Sequence, residues 1–412
     1  MTSVGDRSTS WALTIVGAVL FVGVAAVLVP WNPVPGGMPD PASAGDVFTP
    51  EEIARAEAFT DLQRILSWCS LGISTLVACW LGFTRAGTRL LGRRRPHWTV
   101  TVVALTAVVT LIGTLVNLPL ALVLRHRRVE AGLSLQGLGD WFIDLAKNYG
   151  ITLLVTSIAL LVLIGCARRW KTWWPVIAGT LCAVLIIGAS YLYPVVVEPM
   201  FGSFESMPDG EMRSQILALA DKEDVDVDDV LVSDASARTT TLNAYVSGFG
   251  GTRRVVVYDN LIASQPRDRV LSVVAHELAH AKHNDVVIGT GLGALGALVG
   301  VGLLGLVMSG GPVRRRAGVE GMGDPKAVAL ILALVSLASL GVSPVQNSIS
   351  RQIEMRADVD ALKVTDASAM VALQKELCLR SLCDPSGPAW SQFWFGSHPT
   401  VLERVAVAQR LR

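Results

Sequence analysis

Seven apolar runs constrain this chain more than any other feature. They cover residues 11–30, 65–84, 99–124, 150–167, 174–197, 286–308 and 327–345. About 20 consecutive apolar residues carry a helix across the hydrocarbon core of a bilayer, where a helix satisfies its own backbone polar groups. With 51% hydrophobic and only 17% charged residues, the chain is too apolar for a soluble protein of 412 residues. The predicted fold is mainly α, a bundle of seven membrane-spanning helices with the lipid bilayer as its partner. A signal peptide is the competing reading of the first run, but that run is long and no small-residue cleavage site clearly follows it. Trp11, Trp98, Trp170, Trp173 and Trp174 stand at span edges, where amphipathic indoles suit the membrane interface.

Two polar stretches interrupt the runs. They divide the chain into residues 1–198 with five spans, a soluble segment 199–285, spans six and seven in 286–349, and a C-terminal helical segment 350–412. Each polar stretch joins directly to a span, so the two are expected to form one composite soluble domain. Thr49-Pro50-Glu51-Glu52 opens a helix that runs into the second span, with Thr49 as N-cap and Pro50 at the first helical position. Residues 209–219 have helical period. Residues 230–233, 244–246 and 254–258 read as strands, the last two separated by the glycine-rich turn Gly248-Phe249-Gly250-Gly251. A small β-sheet or hairpin therefore precedes a helix at 267–283, which should run nearly unbroken into the sixth span.

The acidic run 224–229 lacks the glycine and the terminal glutamate of a calcium loop and reads as a solvated turn. In the sixth span Gly289 with Gly293, and Gly296 with Gly300, repeat at four-residue spacing, which predicts close helix packing within the bundle. Six cysteines, four of them within spans and none in a C-x-x-C pair, read as small hydrophobes and not as a disulfide framework. A formal net charge of +1 argues against nucleic acid as a partner.

The chemistry starts at His276-Glu277-Leu278-Ala279-His280. Helical residues four apart share a face, so two imidazoles can grip one metal ion while Glu277 reaches a water beside it as general base. Two histidines on a surface helix are the bland alternative. Catalytic zinc usually keeps three protein ligands and one water, so a third ligand must come from elsewhere. Glu354-Met355-Arg356-Ala357-Asp358, just after the seventh span, is the best donor, with Glu354 and Asp358 on one helix face. From spacing alone, surface salt bridges between Glu354 and Arg351 or Arg356 are the simpler reading.

Four blocks taken together resemble the integral-membrane zinc metalloproteases of the CaaX prenyl protease type, whose smaller bacterial relatives are the HtpX-type membrane proteases. They are HELAH with Asp285 five residues on, and the block at 354–358, which is similar to the E-x-x-A-D of that family. The others are Asn243-Ala244-Tyr245 upstream of the strand 254–258, and Ser397-His398-Pro399 followed by Leu402-Glu403-Arg404. Their order, and seven spans with HELAH before the sixth, fit as well. The first 200 residues match mainly in hydropathy.

The resemblance implies a soluble zinc-metalloprotease domain with one Zn2+ per chain, held by His276, His280 and Glu354, and with Glu277 activating water. Asp285 and Asp358 would orient ligands or brace the helix, since a carboxylate beside a ligating imidazole fixes its tautomer. His398 and Arg404 would serve the chemistry if the C-terminal segment folds back over the metal, because amide hydrolysis builds negative charge on the carbonyl oxygen. Arg404 as the structural partner of an acidic residue stays open. Asn243-Ala244-Tyr245 would form an edge strand to which a peptide substrate adds itself backbone to backbone, with a buried structural hairpin as the alternative. His283 is not expected to ligate.

The resemblance further implies cleavage of prenylated CaaX-type proteins, or of other membrane-associated or misfolded chains, in the cell membrane, with the catalytic side cytoplasmic. Loop charges point the other way. Arg85, Arg89, Arg93, Arg94 and Arg95, then Arg168, Arg169 and Lys171, then Arg314, Arg315 and Arg316 lie on the face opposite the catalytic domain, against Arg125, Arg127 and Arg128 on its own. Three rivals differ in class. A site-two-type intramembrane protease would bury its motif in an apolar span, but Lys282, His283, Asn284 and Asp285 crowd this one. A zinc transporter would need polar ligands inside several spans, and a catalytically silent scaffold would have no use for Glu277.

Overall fold

The computed structural model describes residues 4–92, 97–248 and 253–412; Arg93, Arg94 and Arg95, and Phe249-Gly250-Gly251 of the glycine-rich turn, lie outside them. Every apolar run is a helix. The first five spans are α1 (Val4–Leu28), α3 (Pro50–Phe83), α5 (Trp98–Glu130), α6 (Leu138–Arg169) and α7 (Trp174–Leu192), with short helices α2 (Ala44–Val47) and α4 (Ala86–Arg89) between them. Thr49 opens α3 with a capping box: its hydroxyl accepts from the Glu52 N–H, and the Glu52 carboxylate accepts from the Thr49 N–H. At roughly 1.5 Å per residue, a helix as long as α3, α5 or α6 outruns the hydrocarbon core. Their ends stand beside the soluble domain and hold it, Arg64 pairing with Asp384 and Glu52 with Lys375.

The soluble segment runs β1 (Phe204–Ser206), α8 (Glu211–Lys222), β2 (Asp229–Ser233), β3 (Ala244–Ser247), β4 (Arg254–Tyr258), α9 (Asp259–Ser264) and α10 (Arg267–Lys282). Then come span α11 (Asp285–Ser309), α12 (Gly311–Ala317), span α13 (Val328–Ala361), α14 (Ala367–Ser381), α15 (Ala389–Phe395) and α16 (Val401–Arg410). The strands form one sheet in the order β1-β2-β4-β3; β2 and β4 are parallel and the outer pairs antiparallel. Strand β1 is three residues with no apolar alternation, which is why its sequence carries no strand signal. Val255 and Val257 of β4 pack against Val270, Val274 and Leu278 of α10, one i, i+4 row of wholly buried side chains. That row roots the HELAH helix in the domain core. Asn284 then takes a left-handed conformation, φ 54°, which asparagine tolerates better than most residues, and re-aims the chain into α11.

Among the described residues seven helices are long and apolar enough to cross a membrane. Helix α1 is a full member of the bundle, as the span reading requires. Its Ser10 and Thr14 lie so close to Gly305 and Gly302 of α11 that a Cβ on either glycine would collide. This corrects the glycine reading. Gly289, Gly296 and Gly300 have nothing within 4 Å of where a Cβ would stand, and they line a cavity with Gly293; the tight crossing uses Gly302 and Gly305.

The cysteine reading is corrected too. Cys378 and Cys383 form a disulfide. Helix α14 ends with Leu382 in the left-handed region, the Cys383 N–H bonding the Cys378 carbonyl and the Leu382 N–H bonding that of Leu379. This double bond pattern brings together the two positions flanking a helix C-terminus, where an apolar contact usually sits. Here the pair is two cysteines, and Leu382 packs on Phe59 and Leu133. The four cysteines in the spans are free.

Candidate active site

Helices α10 and α13 cross where the soluble domain meets the bundle, and their motifs face each other. Facing donor atoms of His276, His280 and Glu354 all lie within 4.8 Å of one another. Each imidazole has its far nitrogen engaged: His276 Nδ1 is 2.9 Å from Asp358 Oδ1, and His280 Nδ1 is 2.9 Å from Asp285 Oδ2. A carboxylate only accepts, so both Nδ1 atoms carry hydrogen and, in the neutral rings, both Nε2 atoms present lone pairs. These Nε2 atoms are 3.2 Å apart, with Glu354 oxygens at 3.3 Å from His276 and 3.6 Å from His280. Glu354 Oε2, the oxygen nearest His276 Nε2, is buried.

Three lone-pair donors so close together repel unless a cation or proton lies among them. Ligand atoms about 2.0–2.1 Å from a tetrahedral zinc stand roughly 3.3 Å apart, so this donor set fits that ion. Burial opposes a charge on His276, but the hydrogen bond and charge of Asp358, with Glu354, outweigh it and raise the pKa to about 10. A metal would take the place of the proton held there.

The carboxylates are held in turn. Asp358, fully buried, accepts from Arg404 Nε at 2.7 Å and from Arg404 Nη2. Asp285 accepts from Arg356 Nη2. The sequence therefore misplaced Arg356, which pairs with Asp285 and not with Glu354; Arg351 donates to the carbonyls of Gln392 and Gly396. Only the tertiary crossing reveals the Arg356 role. His283 stays out of the donor set and pairs with Asp360 at 2.6 Å.

Glu277 points to the cavity beside the donor set, and burial pushes its pKa up, the two imidazoles pulling against that. The C-terminal segment does fold back over the site: His398 Nε2 lies 3.4 Å from Glu354 Oε1, and Arg404 reaches within 3.5 Å of His276 Nδ1. Strand β3 is a sheet edge, although it begins at Ala244 and Asn243 only flanks it. The Tyr258 N–H bonds the Asn243 carbonyl, so alternation turns the N–H and C=O of Ala244 and Val246 toward the open edge. Glu198, at the end of the fifth span, anchors this strand through Ser247 Oγ at 2.9 Å and the Tyr245 hydroxyl. Nothing in the sequence marked Glu198.

The site opens into a cavity of about 1880 Å³ lined mostly by apolar side chains of α1, α11 and α13. It reaches Val307 of α11, roughly 33 Å along that helix from Asp285. Small-molecule pockets run to about 1,000 Å³. This one has room for a polypeptide segment or a long apolar chain.

Fold and site together define a multi-pass membrane protein with a peptidase-type centre at the mouth of an intramembrane cavity. The model of peptidase family M48 matches residues 206–412, and that of the CAAX prenyl protease N-terminal region, five membrane helices, matches residues 40–203. The chain belongs to peptidase family M48 and is a membrane metalloprotease of the CaaX prenyl protease type. The uncharacterized metalloprotease YhfN of Bacillus subtilis is 27% identical over 383 residues, covering 92% of this chain and 89% of that protein. The CAAX prenyl protease 1 homolog of Arabidopsis thaliana is 32% identical over 225 residues, 52% of this chain and 51% of that protein. This chain therefore spans about half the length of that plant relative. The crystal structure of S. mikatae Ste24p shares the fold, with a TM-score of 0.79 over 98% of both chains at 19% identity.

Proposed function

We propose that His276, His280 and Glu354 hold one zinc ion and that Glu277 is the general base of an endopeptidase acting on membrane-associated polypeptides. The observation that carries this is the convergence of both Nε2 atoms with the largely buried Glu354 carboxylate while both Nδ1 atoms are occupied. Bound zinc supplies Lewis acidity, which lowers the pKa of water and polarises a peptide carbonyl. Glu277 takes the proton of the attacking water and returns it to the leaving amine; its raised pKa suits both halves of that transfer. His398 donates toward the carbonyl oxygen as charge develops. Arg404, committed to Asp358, acts through it, holding the Asp358 carboxylate against His276. The substrate backbone pairs with the free edge of β3, which leaves side-chain identity loosely specified.

The relatives named as CAAX prenyl proteases suggest a prenylated C-terminus as one substrate class, with the isoprenoid in the apolar cavity. Residence in the cell membrane belongs to the same reading. The test is a farnesylated CaaX-ended peptide and its unmodified twin, given to detergent-purified wild type and Glu277→Ala and followed by mass spectrometry. Glu277-dependent cleavage of either peptide supports the proposal. Restriction to the farnesylated one makes the enzyme a prenyl-protein endopeptidase, and equal cleavage makes it a broad membrane protease. No Glu277-dependent cleavage by zinc-loaded protein overturns it.

A further inference from the structure

We infer that Arg351 is a positioning residue for the reaction: it holds the backbone on which His398 stands, and so sets where that imidazole donates. The inference rests on the role proposed above for His398 and adds the side chains that put it there. The Arg351 guanidinium passes over Glu354, three residues on along α13, whose ion-pair partners among the described residues are His276, His280 and His398. It reaches instead for two backbone carbonyls of the C-terminal segment.

Ser343, Asn347 and Arg351 form one row along α13 at four-residue spacing, and each donates to the end of α15. The Ser343 hydroxyl and the Asn347 amide both reach the Trp394 carbonyl at 2.6 Å. Arg351 Nη1 bonds the carbonyls of Gln392 at 3.2 Å and Gly396 at 2.6 Å. The last carbonyls of a helix need partners from outside it, and a cation suits them. Capping accounts for Gln392 and Trp394. It does not account for Gly396, which lies past the helix, two residues before His398, and takes the shorter Arg351 bond. The Gln392 side chain closes the same segment, its Nε2 donating to the His398 carbonyl at 2.6 Å.

Apolar packing alone holds α15 weakly. None of its residues is buried; Trp390, Phe393 and Phe395 are exposed, and Trp68 of α3 meets Trp390 and Phe395. Elements with few buried apolar contacts open at low cost, and His398 moves with the end of this one. The His398 ring has no distant anchor to resist that, since its Nδ1 lies 3.0 Å from the hydroxyl of its own neighbour Ser397. Its place is therefore set by its backbone. The helix that carries Glu354 also carries the row, so one rigid element fixes both the third donor and the imidazole whose Nε2 stands 3.4 Å from Glu354 Oε1. A reacting-site group displaced by roughly 1 Å loses up to about 100-fold in rate, which gives the row its leverage.

The test measures kcat, KM and zinc content of the full chain in detergent, on whichever of the two peptides above wild type cleaves. Arg351→Met should keep its zinc and its KM while kcat falls by up to about 100-fold. Arg351→Lys, which keeps one donor, should recover part of that loss. His398→Ala should lose about 10²–10³-fold, as removal of a donor to the developing oxyanion does. Arg351→Met added to His398→Ala should cost nothing further, because the position of a missing imidazole no longer matters. Gln392→Ala leaves the Arg351 bonds to backbone in place and tests the same path if Arg351→Met fails to fold. It should lower kcat in the wild-type background and not in His398→Ala. Losses that multiply in the double variants, or an Arg351→Met that loses zinc together with activity, overturn the positioning role and leave Arg351 a structural residue. Wild-type kcat in Arg351→Met beside a slow His398→Ala overturns this inference alone. Wild-type kcat in His398→Ala overturns the donor role of His398 and this inference with it, while loss of turnover in Glu277→Gln keeps the peptidase reading standing.

Discussion

Replacing Asp358 by asparagine removes one charge and almost no volume from the interior of the soluble domain. Asp358 is fully buried, accepts from Arg404 Nε and Nη2 and receives the His276 Nδ1 hydrogen. Breaking a buried pair from one side costs about 3–5 kcal/mol, because the surviving charge is left uncompensated. In a domain of this size each kcal/mol moves the unfolding midpoint by about 2–4 °C, so Asp358→Asn should lower it by roughly 6–20 °C. The measurement is tryptophan fluorescence on heating, in detergent with chelator, so that metal loss does not contribute. Arg404→Met added to Asp358→Asn removes the orphaned guanidinium and should recover at least part of the loss, a non-additive pair. In saturating zinc the single variant should also bind metal about 10–100-fold more weakly, because His276 loses the group that fixes its tautomer. An unchanged midpoint, or a double variant that melts lower by the sum of both single effects, would refute the reasoning.

Three further outcomes follow from the same geometry. Asp285→Asn weakens the grip on His280 and releases Arg356, so zinc affinity by chelator competition should fall about 10–100-fold with little change in peptide KM. A Cβ at Gly296 meets no atom within 4 Å and faces the cavity about 16 Å down α11 from Asp285; Gly296→Phe should fold, bind zinc and cut short peptides while losing farnesylated ones. Because His276 in the metal-free protein holds its extra proton up to a pKa of about 10, zinc must displace it at lower pH. Apparent affinity should therefore rise about tenfold per pH unit between roughly pH 7 and 9, and a flat profile would mean that no such proton is held.

Much of the fold was legible because hydropathy is a local signal. HELAH was legible because helical spacing and ligand chemistry coincide within five residues. Glu354 was another matter: it is 74 positions after His280, and only the family resemblance of its block, not its own spacing, favoured it over a surface salt bridge. The misreadings share one cause. Glycines on a span pack against a helix or face a void with the same sequence, and here the void took Gly289, Gly296 and Gly300. Cys378 and Cys383 meet only because Leu382 adopts a left-handed conformation, which leucine does not advertise. Arg356 and Glu198 take roles set by which helix lies opposite, a property of packing alone.

Zinc content and turnover measured side by side on four chains test the central claim most directly: wild type, Glu277→Gln, Glu354→Ala and His280→Ala. Wild type should hold one zinc ion and cleave; chelation should stop it and zinc restore it. Glu277→Gln should keep its zinc and lose about 10²–10⁴-fold in rate, as loss of a general base requires. Glu354→Ala and His280→Ala should lose the metal and the activity together. Wild-type turnover in Glu277→Gln, or full zinc occupancy in Glu354→Ala, would contradict the assignment of the site.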